Sequence, residues 1–149
     1  MTWLDAGIVF TLLLVIWNLY AHLRDSKRTS FINTVTSERV KWIQSTREAI
    51  SNLCGRSHYW VMTQDEISQE DSNAVRKEID QLRALVKLKL NPGEPPSMKV
   101  IDLVDQMEHY THLSQEVEMK RILNDIVSTS QVLLKEEWDK VRLEAVEGD

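Results

Sequence analysis

The feature that most constrains this chain is an apolar stretch near its first residue. Residues 6–17 carry no charge, and across residues 3–23 the only acid is Asp5. At about 1.5 Å of rise per residue, a helix over that span covers the roughly 30 Å hydrocarbon core of a bilayer. Trp3, Trp17 and Tyr20 lie near its two ends, where amphipathic rings prefer the headgroup region. A cleaved signal peptide fits less well. No lysine or arginine precedes the apolar run, and Leu19-Tyr20-Ala21 is a poor small-residue cleavage site. The stretch therefore predicts a retained transmembrane anchor over residues 1–24. Arg24, Lys27 and Arg28 follow it at once, and the positive-inside bias puts the C-terminal side in the cytoplasm. The expected location is a bacterial inner membrane, crossed once, with the N-terminus outside.

The remainder reads as helical. Glycine occurs four times and proline three times in 149 residues, and aromatics make up only 7%, whereas sheets draw on turn residues and aromatics. The net charge of −5 gives no electrostatic footprint for nucleic acid, and direct contact with it is not expected. Cys54 is the single cysteine, which excludes an internal disulfide framework. Residues 25–36 are polar and predict a short neck, with Thr36 or Ser37 as a helix N-cap. Val40, Ile43, Arg47, Ile50 and Cys54 then recur at alternating steps of three and four, a narrow helical seam running to about Met62, with Gly55 a weak point. Val75, Ile79, Leu82, Val86 and Leu90 form a second seam, and the two seams predict an antiparallel hairpin.

Asn91-Pro92-Gly93-Glu94-Pro95-Pro96 ends the second helix, with Gly93 free to take positive φ and Ser97 expected to cap the next helix. A last stripe comprises Val100, Leu103, Val104, Met107, Tyr110 and Val117, continued by Ile122, Ile126, Leu133 and Val141, with a break near residues 112–114. The fold class is all-α: one N-terminal transmembrane helix, then a cytoplasmic domain over 37–149 built as a hairpin or bundle of three to four helices.

Three constellations bear on chemistry. In the apolar stretch, Gly7, Thr11, Leu14, Asn18 and either Ala21 or His22 follow at steps of three or four, so the small and polar residues share one face. Polar groups in hydrocarbon are costly unless they pair or meet water, and small residues let helices approach closely. That face is a candidate self-association or pore-lining surface; the plain alternative is an anchor with Asn18 and His22 at the interface. The second constellation is Asn52 and His58, a degenerate form of the arginine–histidine pair of HEPN-type helical ribonucleases. No arginine stands at catalytic spacing from a histidine, and one histidine without a partner base is not a mechanism. The third is Asp105, His109, His112 and Glu116, spaced as metal ligands along one helix face and equally as a solvated face. No metal or cofactor is assigned. Trp42, Tyr59, Trp60 and Trp138 exceed what the thin seams cover, which favours contacts with another copy or a partner.

Three stretches carry a resemblance: Thr-Val-Thr-Ser-Glu-Arg-Val-Lys-Trp-Ile-Gln at 34–44, Lys-Leu-Lys-Leu-Asn-Pro at 87–92, and Val-Leu-Leu-Lys-Glu-Glu-Trp-Asp-Lys-Val-Arg at 132–142. Together they resemble small single-pass bacterial membrane proteins of antiviral defence, and most nearly the pore-forming membrane accessory proteins of type VI-B CRISPR systems. That resemblance implies a homo-oligomeric, non-enzymatic membrane pore acting downstream of an RNA-guided RNA nuclease. Its partners would be other copies of itself, membrane lipid and, functionally, that nuclease. Two rivals stay open: a membrane-tethered HEPN-like ribonuclease or toxin using His58, and a scaffold that opens nothing.

Overall fold

A computed structural model describes residues 3–147 of the chain, and the side chains of all of these except 3–9, 25–31, 113 and 145–147. Among the described residues every regular element is helical.

The first helix, α1, runs unbroken over Trp3–Thr63. This corrects the expected N-cap at Thr36 or Ser37: the backbone stays helical through it and through the polar segment 25–36 expected as a neck. Polar residues such as serine, threonine and asparagine cost only a few tenths of a kcal/mol each in a helix, and no proline occurs before Pro92. With helix on both sides, each further residue adds a hydrogen bond without a new nucleation step. Gly55 likewise leaves the helix intact. The result is a rod of roughly 90 Å at the usual rise per residue.

A turn at 64–68 reverses the chain into α2, Gln69–Lys89. Ser68 caps it, its Oγ accepting from the Asp71 N–H at 3.1 Å. Glu70 and Asp71 lie in its first turn and Lys87 and Lys89 in its last, as the helix dipole favours. The proline-rich segment ends α2 as expected, but no glycine among the described residues has positive φ. Asn91 shapes the turn instead, its Oδ1 accepting from the Gly93 N–H at 3.0 Å. Helix α3, Pro95–Gln106, starts at Glu94 with Pro95 in its first turn. Ser97 therefore does not cap it; the side chain is buried inside the first turn. Two single 3-10 turns, Met107–His109 and Leu113–Gln115, make the break near 112–114, and α4 follows over Glu116–Glu147.

Helix α1 packs on α2 and α4, and α3 closes the fourth side against α4 and α2. Arg39 pairs with Glu144 at 2.6 Å and Glu137 at 3.8 Å, whereas Trp60 meets Thr111 just ahead of α4, so α1 and α4 run antiparallel. Leu53, Val86, Val100, Val104, Ile122, Ile126 and Leu133 form the centre. A smaller cluster of Ile43, Leu134 and Val141 continues it along α1 and α4. The second seam is partly or fully buried throughout. The first holds at Ile43 and Ile50, which are buried, and partly at Val40 and Cys54, but the inward face is rotated from it: Arg47 is exposed, while Thr46, Ala49, Leu53, Ser57 and Val61 are buried. Val117, placed on the last stripe by its spacing, is 76% exposed because the 3-10 turns reset the helical phase.

Two tryptophans expected to make outside contacts are held within the bundle. Trp42 donates from Nε1 to the Lys89 carbonyl at 2.9 Å, satisfying an end carbonyl of α2. Trp60 donates to the Thr111 carbonyl at 3.2 Å and lies beneath the Arg76 guanidinium. Tyr59 and Trp138 stay a little under half exposed.

Candidate functional site

The part of α1 that the bundle does not touch is its apolar beginning. Every residue from 10 to 20 is exposed, and so are 22–24. Phe10, Leu13, Val15, Ile16, Trp17 and Leu19 are each more than half exposed, and together they cover well over half of the circumference, leaving a narrower face with Thr11, Leu14, Asn18 and His22. A soluble surface helix shows an apolar stripe and a broad charged or polar back, whereas this segment is apolar over most of its girth and carries no charge from 10 to 21. Thr11, Leu14, Asn18 and His22 all lie on this segment and are exposed. Gly7 lies outside the residues whose surroundings are described. Among the described residues no helix is long and apolar enough to cross a membrane. The first seven residues of the 3–23 stretch fall outside those whose side chains are described.

The structure does not assemble the other two constellations. Asn52 and His58 are both exposed on α1. Six residues apart on a helix, they diverge by about 120°, so they do not converge on one substrate atom. Asp105, His109, His112 and Glu116 do not share a helix face, because α3 ends at Gln106 and α4 begins at Glu116. Asp105 accepts from Lys87 Nζ at 2.8 Å, and Glu116 pairs with Lys120, which holds its carboxyl below the usual range. No group of metal-ligating side chains converges among the described residues.

Two hollows remain. One, of about 460 Å³, is lined by Trp60, Arg76, Asp80, Arg83, Glu108 and His112 among others. Arg83 donates to Glu108 at 2.9 Å, and this bond holds the Glu108 carboxyl below its ordinary value. These charges satisfy one another and tie α2 to the end of α3.

The other is a groove of about 670 Å³ between α1 and α4, on the side away from α2 and α3. Its walls are mainly apolar: Ile43, Ile50 and Cys54 from α1, and Val127, Leu134 and Trp138 from α4. Arg47 and Lys135 also line it. Neither has a carboxylate partner among the described residues. The Ser130 Oγ beneath them is buried with no hydrogen-bond partner. Sequence spacing places Arg47 and Cys54 inside a core seam; in the structure Arg47 is exposed on the groove, while Cys54 packs against the core and also forms part of the groove wall. Of the groove residues, the sequence singles out only Trp138 for outside contact. No signal in the sequence marks the rest, because spacing gives a helix face without saying what covers it.

Burial in the groove wall pushes the Cys54 thiol up to about 11, so it stays protonated near neutral pH. Its labelling by a maleimide at pH 8 is expected to be at least about ten-fold slower in the folded chain than in urea. Equal rates would remove the buried thiol. The folded value lies above the ordinary one of 9.0, so the thiol's contribution to stability is unchanged below pH 9 and falls as pH rises toward 11.

No family model, no curated protein and no solved structure matches the chain.

Proposed function

We propose that this chain is a membrane-anchored, self-associating helical protein that perturbs the bacterial inner membrane. In this reading it is a pore-like effector of CRISPR-associated antiviral defence, acting downstream of an RNA-guided RNA nuclease. The observation that carries the membrane part is the run of exposed apolar side chains over residues 10–23, around most of the circumference of α1. Burying each is worth about 1.5–3 kcal/mol, and monomeric soluble proteins rarely leave so large a contiguous patch in water. Residues 3–9 extend the same helix to a bilayer-spanning length. Arg24, Lys27 and Arg28 orient the bundle toward the cytoplasm.

The continuity of α1 supports a mechanical role. The stem and the first wall of the bundle are one helix, so a tilt or rotation imposed on the bundle passes to the membrane segment without a hinge. The defence role rests on the resemblance of residues 34–44, 87–92 and 132–142. It assigns no catalytic residue, in keeping with the separation of Asn52 from His58. The proposed lumen or contact face is Gly7, Thr11, Leu14, Asn18 and His22.

The test uses Asn18, about one turn from the cytoplasmic end of the stem. Asn18→Leu replaces a wettable group with an apolar one, and a narrow apolar constriction closes by dewetting. Leucine also favours insertion, so membrane association should be unchanged. In cells carrying the partner nuclease, a potential-sensitive dye should report depolarisation on target expression with the parent and none with the variant. Full depolarisation with the variant would mean this face does not control permeation. No depolarisation with the parent would replace the pore with the scaffold.

A further inference from the structure

We propose that the groove between α1 and α4 is the seat of a second copy of the chain, which inserts the outer ridge of its own α4. The inference rests on the self-association in the proposed function and gives it an address outside the membrane.

The groove has a defined charge pattern. Arg39 pairs with Glu137 and Glu144. About two turns further along α1, Arg47 therefore comes level with the part of α4 that holds Lys135. Two cations thus face each other across the groove. Arg47 has only a long hydrogen bond to Gln44, at 3.5 Å, and Lys135 forms no ion pair among the described residues. Ile43 and Trp138 flank this waist on one side, Cys54 and Val127 on the other. A partner must offer apolar, acidic, apolar in that order, over about three helical turns.

The chain carries such a surface. Val132, Glu136, Asp139 and Leu143 stand at steps of four, three and four on α4, which places them on one face. Val132 is 55% exposed and Leu143 65%. Glu136 is exposed and forms no ion pair among the described residues. Asp139 has only an exposed contact to Arg142 at 3.8 Å. The ridge spans twelve residues, and so does the groove wall from Ile43 to Cys54. The two surfaces lie on different sides of α4, so one copy engages one neighbour with each.

Symmetry brings the charges into register. Copies anchored by parallel stems are related by rotation about an axis along those stems, which leaves every residue at its own height. Glu136 of a neighbour then comes level with Lys135, Val132 comes beside Leu134, and Leu143 lies about one turn beyond Trp138. The contact is head-to-tail, so it closes into a ring or grows; it does not stop at a two-fold dimer.

The experiment is charge reversal on the full chain in mild detergent, read as mass by light scattering. The groove variant is Arg47→Glu with Lys135→Glu; the ridge variant is Glu136→Lys with Asp139→Lys. All four side chains are exposed, and circular dichroism checks that helicity is kept. The parent should give a multiple of 17.4 kDa and each variant alone the monomer mass or a small fraction of the parent's. Mixing the two variants should restore a high-mass assembly with an even number of copies, because each offers the charge the other needs and the two must alternate. Parent-like mass in both variants, or no rescue on mixing, overturns the groove contact and leaves the membrane reading standing. A monomeric parent overturns both.

Discussion

Lysine at both Leu13 and Ile16 is expected to move the chain from the membrane fraction to the soluble or aggregated fraction. These residues are 60% and 61% exposed and sit near the middle of the 3–23 stretch. A lysine near the centre of a spanning helix costs roughly 2.5–3.5 kcal/mol on insertion scales, so two cost about 6 kcal/mol. That is about four orders of magnitude in partition. The bundle should be unaffected, because its buried residues begin at Ile43. Leu88→Lys is the matched control, since Leu88 is 85% exposed on α2 and lies far from the stem in sequence. The measurement is fractionation with a high-pH carbonate wash. If the doubly substituted chain stays with the membranes, or the parent itself is soluble, the stem is not an anchor.

The helical class and the ends of α1 and α2 are legible in the sequence because their signals are local. Pro92 and its neighbours stop α2 wherever the bundle sits, and Met62 lies one residue from the end of α1. The second seam reads in phase because its apolar residues are buried on one side only. The polar segment 25–36 stays helical because polarity alone does not break a helix. Asp-Ser-Lys-Arg-Thr-Ser at 25–30 lacks proline and glycine, and a helix extends through such a segment at small cost.

The groove is hidden from the sequence for a different reason. Arg47 and Cys54 fit the helical period of an α1 seam, and periodicity alone gives a face without saying what covers it. The bundle buries the neighbouring face through Thr46, Leu53 and Ser57, a choice made by where α2 and α4 pack. The Asp105–Glu116 stripe fails similarly. Its spacing presumes one helix, and the two 3-10 turns between α3 and α4 disperse it. No residue type in that stretch announces the break as proline would.

The rotation of the α1 seam makes a sharp forecast about Leu53. Leu53 is fully buried at the centre of the bundle, packed among residues of the core cluster drawn from all four helices. Leu53→Ala removes three buried carbons and leaves a cavity that rigid helices on several sides cannot collapse. Such substitutions cost about 2–5 kcal/mol. For a bundle of this size the cost corresponds to a fall in Tm of roughly 10 °C or more. Leu88→Ala makes the same chemical change on an 85% exposed side chain and should shift stability by no more than about 0.5 kcal/mol. Cys54→Ala, one residue along, should also cost less than Leu53→Ala, because Cys54 lines the open groove. Thermal unfolding of the detergent-solubilised chain, followed by circular dichroism at about 222 nm, where helical amides absorb, ranks the three. A seam centred on Cys54 would reverse the order, with Cys54→Ala the most damaging. The expected order, Leu53 far ahead of the other two, holds only if α1 turns its Thr46–Leu53–Ser57 face inward.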